Sequence, residues 1–292
     1  EAAKGSIKLA GVVGESSGVM SNCNNGGAIT INGSSTLSGS VVAGVVAYQA
    51  ADITDCNNTG AVSVTATCVS DISFSFGSVA KIPIHVAGVA GMMLNGKVTH
   101  CNNSGKITHK LTSLNILSVS VGTNRPRIAG IVAAPNGDIS NCTNTGAIDV
   151  SVVQQTRSAY TTNNYTISVG GISGGDVNNG GENVSNITDC INNGNINIDF
   201  DGAKSNATVG GIVGYPGLEG AAQTILTKGC TNNGNITVSG GTKMRIGGIQ
   251  GGAGNVEGCK NYGTLTNKAT TAGCAVGGIS GFNSQNRKFI NN

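Results

Sequence analysis

One frame recurs seven times along the chain and constrains the fold more than any other feature. A Cys is followed by Asn two residues on, Gly four on and an aliphatic six on. The frame falls at Cys23, Cys56, Cys101, Cys142, Cys190, Cys230 and Cys259, which sets the paired amides at Asn25, Asn58, Asn103, Asn144, Asn192, Asn232 and Asn261. Self-similarity at a recurring interval is the mark of a solenoid, in which each repeat buries its apolar face only against its neighbours. Within the frame Cys190, Asn192, Gly194, Ile196 and Ile198 alternate strictly. Period two is the period of a strand, so these residues share one face. An aliphatic sits three before most of the cysteines, as Met20, Ile53, Val98, Ile139, Ile187 and Val256, with Thr227 in the sixth repeat. Between that residue and the Cys the parity changes once, which places a bend or bulge there.

A second element precedes each frame: a small residue, Gly, an aliphatic, a variable residue, then Gly or Ala. It reads AGVVG at Ala10 and AGIVA at Ala129, and GGISG at Gly170 and again at Gly277, the last of eight copies against seven Cys frames. Nothing shows the period of a helix. Successive cysteines are separated by 33, 45, 41, 48, 40 and 29 residues. The surplus over one bare coil is expected at one place, after the strand that follows the frame Gly, in residues 65 to 86, 110 to 128 and 151 to 168. Insertions at one point of a repeat collect on one edge, the first place to look for binding. These patterns predict an all-β fold, a parallel and right-handed β-helix of about eight coils. At one rung per roughly 4.8 Å it forms a rod about 40 Å long.

Composition agrees with that expectation. Aromatics are 3% and Trp is absent, while Gly numbers 47, so small aliphatics must stack where a globular core would use large side chains. Hydrophobic residues reach 38% and Pro only 4, which is unlike a disordered chain. A solenoid grows by copying one unit, so residues 1–292 read as a single domain of seven complete repeats and a partial eighth. The formal charge of +3 is spread thinly. No nucleic-acid partner is expected. No apolar run approaches a membrane helix, so the segment is not expected to span a bilayer. Nothing at Glu1 resembles a signal peptide and no Met precedes it, as in a mature or trimmed exported chain.

The recurrent residues read first as structure. Asn at one stacked position suits an amide ladder, and the frame Gly suits a turn of positive φ. Seven of the nine cysteines occupy one position, outside which lie Cys68 and Cys274; without a CxxC pair or a His at ligand spacing they read as a free, buried thiol column, with neither metal nor other cofactor expected. His85, His100 and His109 crowd one region, and His100 takes a polar slot before its Cys that other repeats fill with Asn or Asp. Gly171 to Gly175 match GxSxG, but a nucleophile elbow needs a strand-to-helix turn and no helix follows. Asp199 and Asp201 read as an exposed acidic turn. The column after the frame aliphatic, Thr30, Ser63, Thr108, Asp149, Asn197, Thr237 and Thr266, reads as an outward polar ladder one residue wide. Candidate partner-binding residues are the scarce aromatics of the inserts, Tyr160, Tyr165, Phe74 and Phe76, with Arg125 and Arg127 as a small basic loop.

The GGIVGYPG stretch from Gly210 to Gly217 and the ISNCTNTGAI stretch from Ile139 to Ile148 resemble the GLUG motif of bacterial surface proteins and some secreted peptidases. Similar elements run through nearly the whole chain. The resemblance implies an exported, repeat-built region of a large cell-envelope protein of Gram-negative bacteria, and it carries no catalytic residues. The function expected is a non-catalytic structural or adhesin-like segment at the cell surface, with a glycan or a host or neighbouring surface protein as partner. The alternative is a polysaccharide-degrading β-helix.

Overall fold

The structure is a computed structural model that describes residues 7–34, 40–68, 84–113, 126–154, 165–175, 185–201, 205–216, 225–269, 273–283 and 288–290. Every described element is a β-strand, and every pairing is parallel between one repeat and the next. Each coil contributes a strand to five sheets, called A to E in the order the chain visits them. In the fourth coil these are Arg127–Ala129, Val132–Ala134, Ile139–Ser140, Thr143–Asn144 and Ile148–Gln154. Sheets A and C hold eight strands, D and E seven, and B six, extended by single bridges from Val213 to Gln250 and from Gln250 to Ser280. Seven coils are complete and the eighth has its A, B and C parts. The architecture is a parallel β-solenoid.

Register follows the repeat position by position. Ile148 pairs with Ile107 below and Ile196 above, and Asn144 with Asn103 and Asn192. The stacked aliphatics form two cores. One lies between sheets A and E, with Val86, Ile128 and Val169 from A against Ile107, Ile148 and Ile196 from E. The other gathers Val46, Val132 and Val213 of sheet B, Ile53, Ile139 and Ile187 of sheet C, and the cysteines. Each buried Val or Ile contributes about 1.5–3 kcal/mol relative to exposure, which gives a thin rod a continuous apolar spine.

The bend before each Cys has a specific cause. Asn22, Asp55, His100, Asn141 and Asp189 all have φ between 52° and 55°, and Gly229 and Gly258 fill the same slot at 64° and 60°. This left-handed corner joins sheet C to sheet D, and Asn, Asp, His and Gly are the residues that tolerate it. The polar slot assigned to His100 is therefore a backbone requirement. Conversely, the frame Gly does not have the positive φ expected of it. A Cβ at Gly194 would overlap the Gly146 carbonyl of the rung below and crowd the Asn144 amide, so close approach excludes a side chain. The second residue of the other element acts the same way. A Cβ at Gly171 would strike the Gly211 carbonyl and the Asn192 side chain.

The outer face of sheet A is also covered. Val41, His85, Arg127, Ser168 and Thr208 point away from the first core yet are at most 4% exposed. Strand B folds back over them, and its facing position is small: Ala47, Gly91, Ala133, Gly174 and Gly214. A Cβ at Gly174 would crowd Arg127, and one at Gly214 would crowd Ser168. The fifth residue of the AGVVG element is small for that reason.

The longer connections fall at two places of the repeat, where the surplus was expected at one. Between sheets E and A lie residues 69–83, 114–125 and 155–164; between B and C lie 176–184 and 217–224, all outside the described residues. The flanks assigned to the inserts belong to strands, since Val62–Cys68, Ile107–Ser113, Ile148–Gln154 and Tyr165–Gly170 extend sheets E and A.

Candidate functional surface

The amide ladder runs along the boundary of the two cores, because Asn58 lies between Cys56 of one core and Val62 of the other and faces Gly44. Each Nδ2 donates to the Oδ1 of the next rung at 2.8 Å, from Asn25 to Asn58, Asn103, Asn144, Asn192, Asn232 and Asn261. Its other hydrogen goes to the carbonyl of the frame Gly, as from Asn192 to Gly194 at 2.9 Å. Unpaired, each buried group would cost about 1–3 kcal/mol.

The thiols are also hydrogen-bonded. Cys142 and Cys190 each donate across the left-handed corner to a carbonyl two residues back, Ser140 and Thr188, at 3.2 Å. The Cys190 and Cys230 backbone N–H groups donate to the sulfur of the next rung at 3.4 Å. The seven frame cysteines and Cys274 are free thiols, and Cys274, half-buried, packs against the first core. Hydrogen bonds along the column push neighbours in opposite directions: bonding to Cys142 raises Cys101 and Cys190, bonding to Cys101 and Cys190 lowers Cys142 to about 4, and bonding to Cys190 and Cys259 lowers Cys230 to about 5. Burial opposes thiolate formation at every buried position of the column from Cys56 to Cys259. The column is structural, and among the described residues no group of three or more His, Cys, Asp or Glu converges as a metal site.

The outward face of sheet E is a solvent-facing polar surface that the repeat builds rung by rung. Alternation continues four residues past the frame aliphatic in coils 2 to 5, so the outward ladder is up to three columns wide where the sequence suggested one. Beside Thr108, Asp149, Asn197 and Thr237 stand Lys110, Ser151, Asp199 and Ser239, and beyond them Thr112, Val153 and Asp201. Rungs about 4.8 Å apart and columns about 6.6 Å apart make a regular grid. Across coils 3 to 6 it dips into a trough of about 260 Å³ lined by the first eight of these side chains. Lys106 Nζ lies 2.6 Å from Asp149 Oδ2 and Asn197 Nδ2 donates to Asp149 Oδ1 at 2.9 Å. Partial burial raises the Asp149 carboxyl, but the Lys106 and Asn197 hydrogen bonds outweigh it and the net shift is downward. Asp199 and Asp201 lie on the strand Ile196–Asp201 and are exposed there, so they do not form an acidic turn.

Of the sequence candidates, Tyr160, Phe74, Phe76 and Arg125 fall outside the described residues. Tyr165 opens the strand Tyr165–Gly170 and pairs with Ser205. Arg127 is corrected: it is 4% exposed on strand Arg127–Ala129, in the seam between sheets A and B, and does not belong to a solvated basic loop. Ser173 of the GxSxG stretch is fully buried and accepts from the Gly175 N–H at 3.2 Å, so it is closed to a substrate.

The fold and this surface define the class, a parallel β-solenoid with a broad polar face. No family model, curated protein or solved structure matches the chain.

Proposed function

We propose that the chain is a non-catalytic interaction rod of a bacterial cell-surface protein, adhesin-like, which binds a glycan or a host or neighbouring surface protein along the outer face of sheet E and its adjoining connections. The observation that carries this reading is the polar trough over coils 3 to 6, whose hydroxyl, amide and charged groups repeat at rung spacing. Such a grid can hydrogen-bond an extended polar ligand without rearranging the rod, which limits the entropy lost on binding. The GLUG resemblance supports an exported, surface location. Among the described residues no helix is long and apolar enough to cross a membrane.

The test is a glycan and host-protein binding screen on the full chain, repeated with Asp199→Lys and with residues 155–164 replaced by a Gly/Ser linker of equal length. Excision of 151 to 168 would be a poorer choice, since it removes paired strand on both sides. Loss of binding in either variant with an unchanged melting curve supports the reading. Binding indifferent to both, or no ligand at all, removes it.

One observation favours a second reading. Lys110, Asp149 and Asp199 share the trough, and a polysaccharide-cleaving β-helix needs acidic and basic groups on one coil face. Release of sugar from a polysaccharide panel, abolished by Asp199→Asn and Lys110→Ala, would select that reading over adhesion.

A further inference from the structure

The chain has three histidines and all of them fall in the third coil: His85 in sheet A, His100 at the corner between C and D, and His109 in sheet E. His109 is fully buried in an inward column that holds Ile31, Val64, Val150, Ile198 and Val238, with Val64 below it and Val150 above. Neither ring nitrogen has a hydrogen-bond partner. The core it lies in holds Ala66 of the second coil, Val152 of the fourth, and Ile84, Val86 and Ile128 of sheet A.

His85 lies on the opposite face of sheet A and is 4% exposed. Val41 precedes it in its column, Arg127 follows, and the register that sets Gly174 against Arg127 sets Ala133 against His85. No carboxylate occupies these positions. His100 is exposed at its corner, with Asp55 and Asn141 in the same slot of the adjoining coils.

We propose that the third coil is an acid-opened joint in the rod, in which protonation of His109, assisted by His85, loosens the pairing of strand Ile107–Ser113 with its neighbours. A charge placed on His109 would sit in an apolar core without a partner, and a charge on His85 would sit beside Arg127. Opening the coil brings both to water. Burial lowers His109 to about 4, and burial with the Arg127 charge lowers His85 well below the ordinary range. The stability of the neutral forms is therefore full above the unfolded value of about 6.5 and is lost as pH falls toward about 4. Each coil is held only by its neighbours, so this opening weakens the coupling of coils 1 and 2 to the rest of the rod.

Amide hydrogen exchange on the full chain tests the proposal. Between about pH 7.5 and about pH 4.5, after correction for intrinsic rates, protection of residues 107–113 should fall by one to two orders of magnitude. Protection of residues 196–201 should fall much less, and His109→Val should restore most of the loss. Equal loss in both strands, or opening of His109→Val at the wild-type pH, overturns the proposal. If His109→Val does not fold, His imidazole NMR on the wild type decides. A His109 ring neutral in the intact rod down to about pH 5 supports the joint; one charged near the ordinary value while coil 3 stays closed overturns it.

Discussion

Replacing Asn192 by Leu asks the most of the amide ladder, because the side chain keeps its branched outline and loses every polar atom. Asn192 Nδ2 donates to Gly194 O at 2.9 Å and to Asn232 Oδ1 at 2.8 Å, and Asn192 Oδ1 accepts from Asn144 Nδ2 at 2.8 Å. The substitution strands the Gly194 carbonyl, the Asn232 oxygen and one hydrogen of Asn144, whose other hydrogen still reaches Gly146 O. At about 1–3 kcal/mol for each buried group left unpaired, and with incomplete additivity, the loss is about 3–6 kcal/mol. A typical domain has about 5–15 kcal/mol in total, so this is most of the margin. The control is the next residue. Asn193 is exposed and its amide bond, from Asn233 Nδ2 at 2.7 Å, lies in water, so Asn193→Leu should change stability by no more than about 0.5 kcal/mol. Urea unfolding followed by circular dichroism reads both. If Asn192→Leu costs no more than Asn193→Leu, water satisfies the ladder and the reasoning fails.

Three further substitutions separate the causes of the other columns. Gly194→Ala should cost about 2 kcal/mol or more, because the new Cβ meets the Gly146 backbone, whereas Gly278→Ala at the open end, where nothing lies within 4 Å, should be close to neutral in the same melts. Thr227→Val should stabilise by about 1 kcal/mol, since the Thr227 hydroxyl is fully buried without a partner in a column that elsewhere holds Ile187 and Val256; an unchanged or lower melting temperature would count against this. Cys230→Ala should destabilise more than Cys230→Ser, because the hydroxyl can still donate to Lys228 O and accept from the Cys190 N–H. The reverse order in denaturant midpoints would mean that the thiol acts as a hydrophobe alone.

Much of the fold is written in the spacing of Cys190, Asn192, Gly194 and Ile196, because each residue meets its own equivalent one rung away. Parallel stacking turns a repeated letter into a column, so the amide ladder, the thiol column and the number of coils follow from counting. The candidate surface was partly legible in the same way. Asp149 and Asn197 were identified as outward, but Lys110 was assigned to an insert and Asp199 to a turn, although Val150, Val152, Ile198 and Phe200 already carry the alternation that makes their neighbours outward.

Periodicity reports which residues share a face of one strand, and it is silent on what that face meets. The sequence by itself therefore determined a parallel coil, its rung count and its ladders. Only the tertiary structure decided that sheet A is covered on both sides, which buries Arg127 and His85, and that the frame Gly yields to a carbonyl of the rung below. It also moved the positive φ to the residue before the Cys. These outcomes depend on contacts between strands far apart in the chain, and a local pattern cannot encode a distance that closure of the whole coil sets.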